Sequence, residues 1–287
     1  MKISIPNSVY MTLRLCAAAL FLFGHAGAQR LAVVVPEKNS EAVRYASGVT
    51  DALRGKVKVI DGSLAETAFD SLQLETPFNM TAEDARRAAA VIGCDFLLLI
   101  RTGATRRESF EKGSYYEAFA VKYLVSGRSG RLVNWELKSF EESSPVRAAA
   151  KLNDSVAEAA GRISGAVSAA KNEELSSITA TPIEELPAEG SPESKNFRTP
   201  VPYKRIKPAY TQTAFLYDVR ATVDIEVDID ENGKVLRTDV VRWAGFGLDE
   251  SAEAVVRQMN WRPAERNGRT LPMRVLLRYN FIKVEKE

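Results

Sequence analysis

Histidine is almost missing from this chain. The 287 residues hold one, His25, and two cysteines, Cys16 and Cys94. There is no G-x-G-x-x-G loop and no Walker loop, so the usual glycine-rich phosphate cradles are excluded. The apolar run near the start, residues 15–23, is nine residues long, against the ~20 that a spanning helix needs.

That short run has the form of a secretory signal. Lys2 and Arg14 supply the positive charge, LCAAALFLF the apolar segment, and Ala26-Gly27-Ala28 a small-residue cleavage site. Cleavage after Ala28 and a periplasmic location are expected; an uncleaved inner-membrane anchor is the alternative. Cleavage removes His25 and Cys16. A chain without histidine has no Ser-His or Cys-His catalytic pair and no histidine-ligated metal. Cys94 is then alone and forms no internal disulfide. Lys2 and Arg14 also leave, so the 39 basic residues fall to 37, against 37 acidic ones. A neutral chain argues against nucleic acid as a partner.

Strand and helix patterns alternate over the first half. LAVVV (31–35) reads as a buried strand. Ala42, Tyr45, Ala46, Val49 and Leu53 share one helical face, with Gly55 as a stop. Residues 56–60 read as a second strand. Thr81 with Asp84 resembles a capping box opening a helix that Gly93 ends. DFLLLI (95–100) reads as a third strand, and residues 115–140 as two strands joined by SGRSG. Pro145 opens one long helix with Leu152, Val156, Ala160, Ile163 and Val167 at spacings of three and four. ARRAAAVIGCDFLLLIRTG and the Gly127/Gly130 turn resemble the TolB-N/CsgG-like periplasmic fold, which implies an envelope binding module. The stretch 171–202 carries Pro182, Pro187, Pro192, Pro200 and Pro202 among Glu and Ser, and reads as a linker.

DIDENGKVLRTD (228–239) fits part of a calcium-loop template, with Asp228, Asp230, Asn232, Gly233 and Asp239 at ligand or turn positions. Its flanks decide otherwise. Val223, Ile225, Val227 and Ile229 alternate with Asp224, Glu226, Asp228 and Asp230, which is a strand and not an EF-hand helix. Asn232-Gly233 between two such runs marks a hairpin, and no metal is expected.

Next, Leu248, Ala252, Val255, Val256 and Met259 line one helical face, with Pro263 as its stop. Asn267-Gly268 marks a turn. The last strand, residues 272–283, has Val275, Leu277, Tyr279 and Phe281 on one face and Arg274, Leu276, Arg278 and Asn280 on the other. Strand, strand, helix, strand, together with Pro208-Ala209-Tyr210, Ala214, Ile229-Asp230, Gly233, Val235, Leu248-Asp249, Ala252, Arg262-Pro263-Ala264, Asn267-Gly268 and Phe281, resembles the TonB C-terminal domain over about 205–284. The fold expected is therefore mixed α/β and α+β in two domains. An N-terminal α/β sandwich with a mixed sheet covers 29–170, and a C-terminal ββαβ TonB-like domain covers 203–287.

The resemblance implies a non-catalytic interaction module. Such domains accept a receptor's peptide on a sheet edge by strand addition, where unpaired N–H and C=O groups give affinity. The edge expected is the last strand, through Pro272, Arg274, Leu276, Arg278 and Asn280. Pro272 suits an edge because it cannot donate to a ladder, and the cations Arg274, Arg278 and Lys283 would keep the edge from self-association. The partner expected is an envelope protein or peptide, an outer-membrane receptor among the candidates. An anchored TonB-type energy transducer is the alternative, but coupling to an inner-membrane motor is not expected without an anchor and a long spacer. A hydrolase using paired carboxylates needs no histidine and is the third reading. No cofactor and no catalytic residue is expected. Asp224, Glu226 and Asp228 read as a solvated face opposite basic neighbours such as Arg237 or Arg278. Cys94 reads as a small buried apolar residue, and Ser109-x-x-Lys112 as chance.

Overall fold

The computed structural model describes residues 29–111, 113–176, 183–187 and 190–283. The expected signal segment, Lys112, and residues 177–182 and 188–189 of the expected linker lie outside them.

The first half alternates as its sequence pattern suggests. It runs β1 (Arg30–Val34), α1 (Ser40–Leu53), β2 (Lys58–Val59), α2 (Gly62–Asp70), α3 (Ala82–Ile92), β3 (Phe96–Ser109), β4 (Gly113–Ser126), β5 (Leu132–Glu142), α4 (Pro145–Asp154) and α5 (Val156–Ser176). The sheet order is β2-β1-β3-β4-β5. β2, β1 and β3 run parallel, and β4 and β5 are antiparallel additions, so the sheet is mixed. α1 buries the five residues that its spacing marks. Thr81 caps α3 by accepting from the Asp84 N–H, and Gly93 closes it at φ 78°.

Three local features differ from the sequence reading. α2 was not anticipated; the Asp61 side chain accepts from the Ser63 and Leu64 N–H groups and starts it. β3 extends nine residues beyond Ile100, because β4 pairs with its polar half residue by residue through Ser109. The single helix expected from Pro145 breaks at Ser155, whose hydroxyl donates to the Leu152 carbonyl at 2.7 Å and competes with the helical ladder.

The second half continues with β6 (Glu184–Glu185), β7 (Phe197–Arg198), β8 (Val201–Pro202), α6 (Gln212–Leu216), β9 (Ala221–Ile229), β10 (Val235–Arg242), α7 (Leu248–Val256), β11 (Trp261–Arg262), β12 (Ala264–Arg266), β13 (Arg269–Leu271) and β14 (Met273–Phe281). Its main sheet has the order β10-β9-β14-β6. α5 reaches six residues into 171–202, and β7 and β8 pair with β12 and β11.

The two Asn-Gly turns are built differently. Asn267-Gly268 is a two-residue turn between β12 and β13, with both φ values positive (51° and 78°), as a type I′ hairpin requires. At Asn232-Gly233 only the glycine is positive, at 81°. There the Gly233 N–H donates to the Asp230 carbonyl, and the Asp230 carboxylate accepts from the Asn232 and Lys234 N–H groups. A Cβ on Gly233 would lie 1.8 Å from the Trp261 carbonyl oxygen, so this glycine is fixed by packing as well as by φ.

Two apolar layers flank the first sheet. One face packs on α1, α4 and α5 through Leu98, Leu124, Tyr45, Leu152 and Ile163. The other face packs on α2, α3 and the second half in a single continuous cluster that joins Leu97, Val121 and Tyr123 to Ile225, Trp243, Phe246 and Leu277.

Candidate functional site: an open sheet edge beside a groove

The second sheet has two edges, and the first half holds the end of one of them. Next to the β10 edge, Thr81 makes an antiparallel bridge with Arg242, and Arg131 pairs with Asp239. Trp243 and Phe246, which follow β10, enter the aromatic cluster of the first half. Their ring centroids lie 5.6 and 6.5 Å from Tyr123, and Phe246 stacks on Trp135 at 5.5 Å. The Asn79 amide adds a polar clamp. It accepts from the Thr222 N–H (2.9 Å) and donates to the carbonyls of Thr222 (2.8 Å) and Trp243 (2.7 Å).

The other edge is β14. Its apolar side is buried at Met273, Val275, Leu277, Tyr279 and Phe281, as the alternation in the sequence implies. β9 pairs with it over nine residues, from Met273↔Ile229 to Phe281↔Ala221. On its far side β6 pairs only with Met273 and Arg274.

The register also sets which main-chain groups face outward. Thr222 spends its N–H and C=O on Asn79, and the Asp230 N–H crosses the hairpin to the Lys234 carbonyl. Even-numbered residues of β9 therefore turn away from β14, and odd-numbered ones turn toward it. Their partners are the odd-numbered residues of β14. With a period of two, the N–H and C=O groups of Arg274, Leu276, Arg278 and Asn280 point to the outer edge. Beyond Arg274, these groups meet no other strand among the described residues. Pro272 is exposed just ahead of the strand.

The side chains of these residues do different work from their backbone. Arg274 holds Asp228 with two hydrogen bonds (2.7 and 3.0 Å), and Arg278 holds Asp224 in the same way (2.7 and 2.8 Å). Asp224 also accepts from Arg242 at 3.2 Å. Both aspartates are buried, and the fork-to-fork pairing raises the pKa of each arginine. The expectation of a solvated acidic face is corrected: Asp224 and Asp228 are taken out of water by these arginines, and Arg237 pairs with Asp239 instead. Arg274 and Arg278 are therefore not free edge cations. Asn280 accepts from the Thr222 hydroxyl at 2.9 Å, and Leu276 stands exposed.

Along the outer side of residues 278–283 runs a groove of about 1190 Å³. Lys207, Pro208, Tyr210, Gln212 and Phe215 form its opposite wall. The Lys283 ammonium sits 4.4 Å from the Phe215 ring centroid, and Tyr210 stacks on Phe281 at 6.4 Å. The Tyr210 hydroxyl donates to the Val219 carbonyl (2.7 Å), which fixes this wall. An extended chain laid here would meet main-chain donors and acceptors on one side and aromatic and cationic groups on the other.

Residues 206–282 match the family model described as Gram-negative bacterial TonB protein C-terminal. The C-terminal unit is a TonB C-terminal domain. No curated protein matches the chain significantly. Solved structures similar to it include the C-terminal domain of TonB from Pseudomonas aeruginosa, at 14% identity over 37% of this chain and 99% of that one, with a TM-score of 0.27. A hypothetical protein, CT253, from Chlamydia trachomatis is similar at 14% identity over 49% and 99%, with a TM-score of 0.32. Lipoprotein GNA1162 from Neisseria meningitidis is similar at 18% identity over 53% and 99%, with a TM-score of 0.29.

The TonB domain keeps its helix in place with a buried acid. Asp249, at the start of α7, accepts from the Ala244 and Gly245 N–H groups at 2.8 Å each and so orders the loop carrying Trp243 and Phe246. Burial pushes its pKa up to about 7. Where the TonB domain meets the β3–β4 arm, the Glu117 carboxylate accepts from Arg107 and from the Tyr217 hydroxyl. Burial, with Glu117 second, pushes Tyr217 up to about 12. Cys94 is buried, and desolvation raises its thiol to about 12, which keeps it a thiol. The calcium-template residues are dispersed among other tasks: Asp228 on Arg274, Asp230 on its own turn, Asp239 on Arg131 and Arg237. Among the described residues no group of three or more His, Cys, Asp or Glu is arranged to hold a metal ion, and no helix is long and apolar enough to cross a membrane.

Proposed function

We propose that this protein is a non-catalytic interaction module of the bacterial envelope that binds an extended peptide by adding it to the outer edge of β14. The observation carrying this reading is the row of outward main-chain groups at Leu276, Arg278 and Asn280, which meet no other strand among the described residues, with Arg278 and Asn280 lining the groove. The family of the C-terminal unit supports an envelope partner, with an outer-membrane receptor the first to try. Affinity would come from main-chain hydrogen bonds and selectivity from what fills the groove around Phe215 and Ile282. Export to the periplasm with cleavage after Ala28 belongs to the same reading. Its check is the N-terminal residue of the protein recovered from cells: Gln29 supports export, and Met1 in the membrane fraction supports an anchor.

The binding test uses synthetic decapeptides copied from periplasm-facing segments of outer-membrane receptors, titrated against the full chain. Leu276→Pro removes an outward N–H and leaves the β9 ladder intact. Affinity should drop by at least the ~1 kcal/mol of one net hydrogen bond. Circular dichroism first establishes that this variant is folded. A folded Leu276→Pro protein that binds a peptide as tightly as the parent would place the peptide elsewhere.

A further inference from the structure

We propose that the chain carries its own competitor for this edge, the segment 183–187 (IEELP), which must leave before a partner strand can occupy the whole of β14. The inference rests on the strand-addition reading above and adds a regulation to it.

Three observations lead there. First, Glu184 and Glu185 form β6, which runs parallel to β14 and pairs with Met273 and Arg274. Arg274 is the first residue of the outward-facing row, so β6 already performs the kind of strand addition proposed for the partner. Second, charge holds the segment against the adjacent β12 and the head of β14. Glu184 pairs with Arg266 at 3.0 Å, and Glu185 adds to the negative charge around Arg274. Third, its pairing is short: among the described residues it reaches only Met273 and Arg274, so it holds the head of the edge, and the stretch from Leu276 onward meets no other strand.

The segment is an intramolecular ligand. β7 and β8, ten to eighteen residues further along, tie the following chain to β12 and β11 of the same unit. A tether this short gives an effective concentration on the order of millimolar. Two paired residues and an exposed ion pair hold weakly, so the competition is a modest gate. A partner that needs only the tail of β14 would not sense it; one that runs the length of β14 would.

The test compares the full chain with two variants. In one, residues 183–187 are replaced by Gly-Ser-Gly-Ser-Gly; in the other, Glu184→Lys reverses the charge facing Arg266. Amide hydrogen exchange is measured first, without any peptide. The Arg274 N–H should be protected in the parent and should exchange about fivefold faster in the replaced chain, since one net hydrogen bond of ~1 kcal/mol is roughly a factor of five. Equal protection of Arg274 in both proteins overturns the inference. Decapeptides that bind the parent are then titrated. Binding should tighten by about three- to tenfold in the replaced chain and by less in Glu184→Lys. Unchanged or weaker binding in the replaced chain overturns the competition, weaker binding meaning that the segment is part of the partner's platform. If no decapeptide binds either protein, the strand-addition reading fails, and the competition for a partner fails with it. Arg274 exchange still reports whether the segment pairs with the edge.

Discussion

The two edges of the C-terminal sheet are finished in different ways. The end of β10 is held by the first half: Thr81 bridges to Arg242, Arg131 pairs with Asp239, and Trp243 and Phe246 lie against Tyr123 and Trp135, while Leu236 and Arg237 at its start stay exposed. Among the described residues β14 meets no other strand from Leu276 to its end, with two residues of β6 at its head. An uncovered edge is a hazard for aggregation, and proteins usually blunt it with charge or cover. Here the obvious blunting charges, Arg274 and Arg278, are turned onto Asp228 and Asp224 of the neighbouring strand. Charge is used to lock β14 to β9, and the outer side is left for something else. The contrast assigns a task to the first half: it occupies the end of β10 and leaves β14 untouched by its strands.

The contrast is most easily broken at the held side. Trp243 is 1% exposed. Trp243→Ala should lose about 3–5 kcal/mol in a urea titration, the usual range for emptying a buried aromatic site. Leu276→Ala, on the open side, should stay within about 0.5 kcal/mol of the parent. Similar losses at both positions would mean that the open edge is packed against something.

Next in size is the loop carrying Trp243. Asp249→Ala leaves the Ala244 and Gly245 N–H groups without their acceptor, and about 2–3 kcal/mol should be lost. Asp249 also sets a pH dependence. In the folded chain it keeps its proton to about pH 7, while unfolded it releases it in the ordinary carboxylate range. Between roughly pH 4 and 7 the folded chain therefore binds one proton more, and stability falls as pH rises, by at most about 1.4 kcal/mol per unit. The slope contributed by this group should vanish in Asp249→Asn. A parent whose stability relative to Asp249→Asn is flat across that window would contradict the shift.

A smaller effect belongs to the clamp. Asn79→Ala removes three hydrogen bonds to the backbone of Thr222 and Trp243, and about 1–3 kcal/mol should go with them. The loss should be accompanied by faster amide exchange at Thr222, while the outward amides of β14 keep their rates.

How much of this was legible in the sequence depended on whether a signal was local. The faces of β14 and β9 follow from a period of two, and the buried set of α1 from spacings of three and four, so both were readable. Asn267-Gly268 spelled its turn because two residues fix it; Asn232-Gly233 marked the β9–β10 hairpin but not its form, because the carboxylate of Asp230 bends the loop into a longer one. Polar strands hide: the outer half of β3 has no apolar alternation and exists through its ladder with β4. Ser155 interrupts a helix by a hydroxyl that no periodicity reveals. The candidate site divides along the same line. Arg274, Leu276, Arg278 and Asn280 were identifiable as one strand face, since side chains alternate. That Arg274 and Arg278 are consumed by Asp228 and Asp224 depends on the register of strands some fifty residues apart, and that the end of β10 is held depends on how Tyr123 and Trp243 meet. Neither register nor meeting is written locally.

The most direct test of the open edge is residue-resolved amide exchange along β14, with and without a bound decapeptide. Without peptide, the N–H groups of Leu276, Arg278 and Asn280 should exchange fast and those of Val275, Leu277 and Tyr279 slowly, because the first set faces outward and the second donates to β9. With peptide, the first set should become slow while the second is unchanged. Slow exchange at Leu276, Arg278 and Asn280 before any peptide is added, or fast exchange that a bound peptide does not alter, would contradict the account.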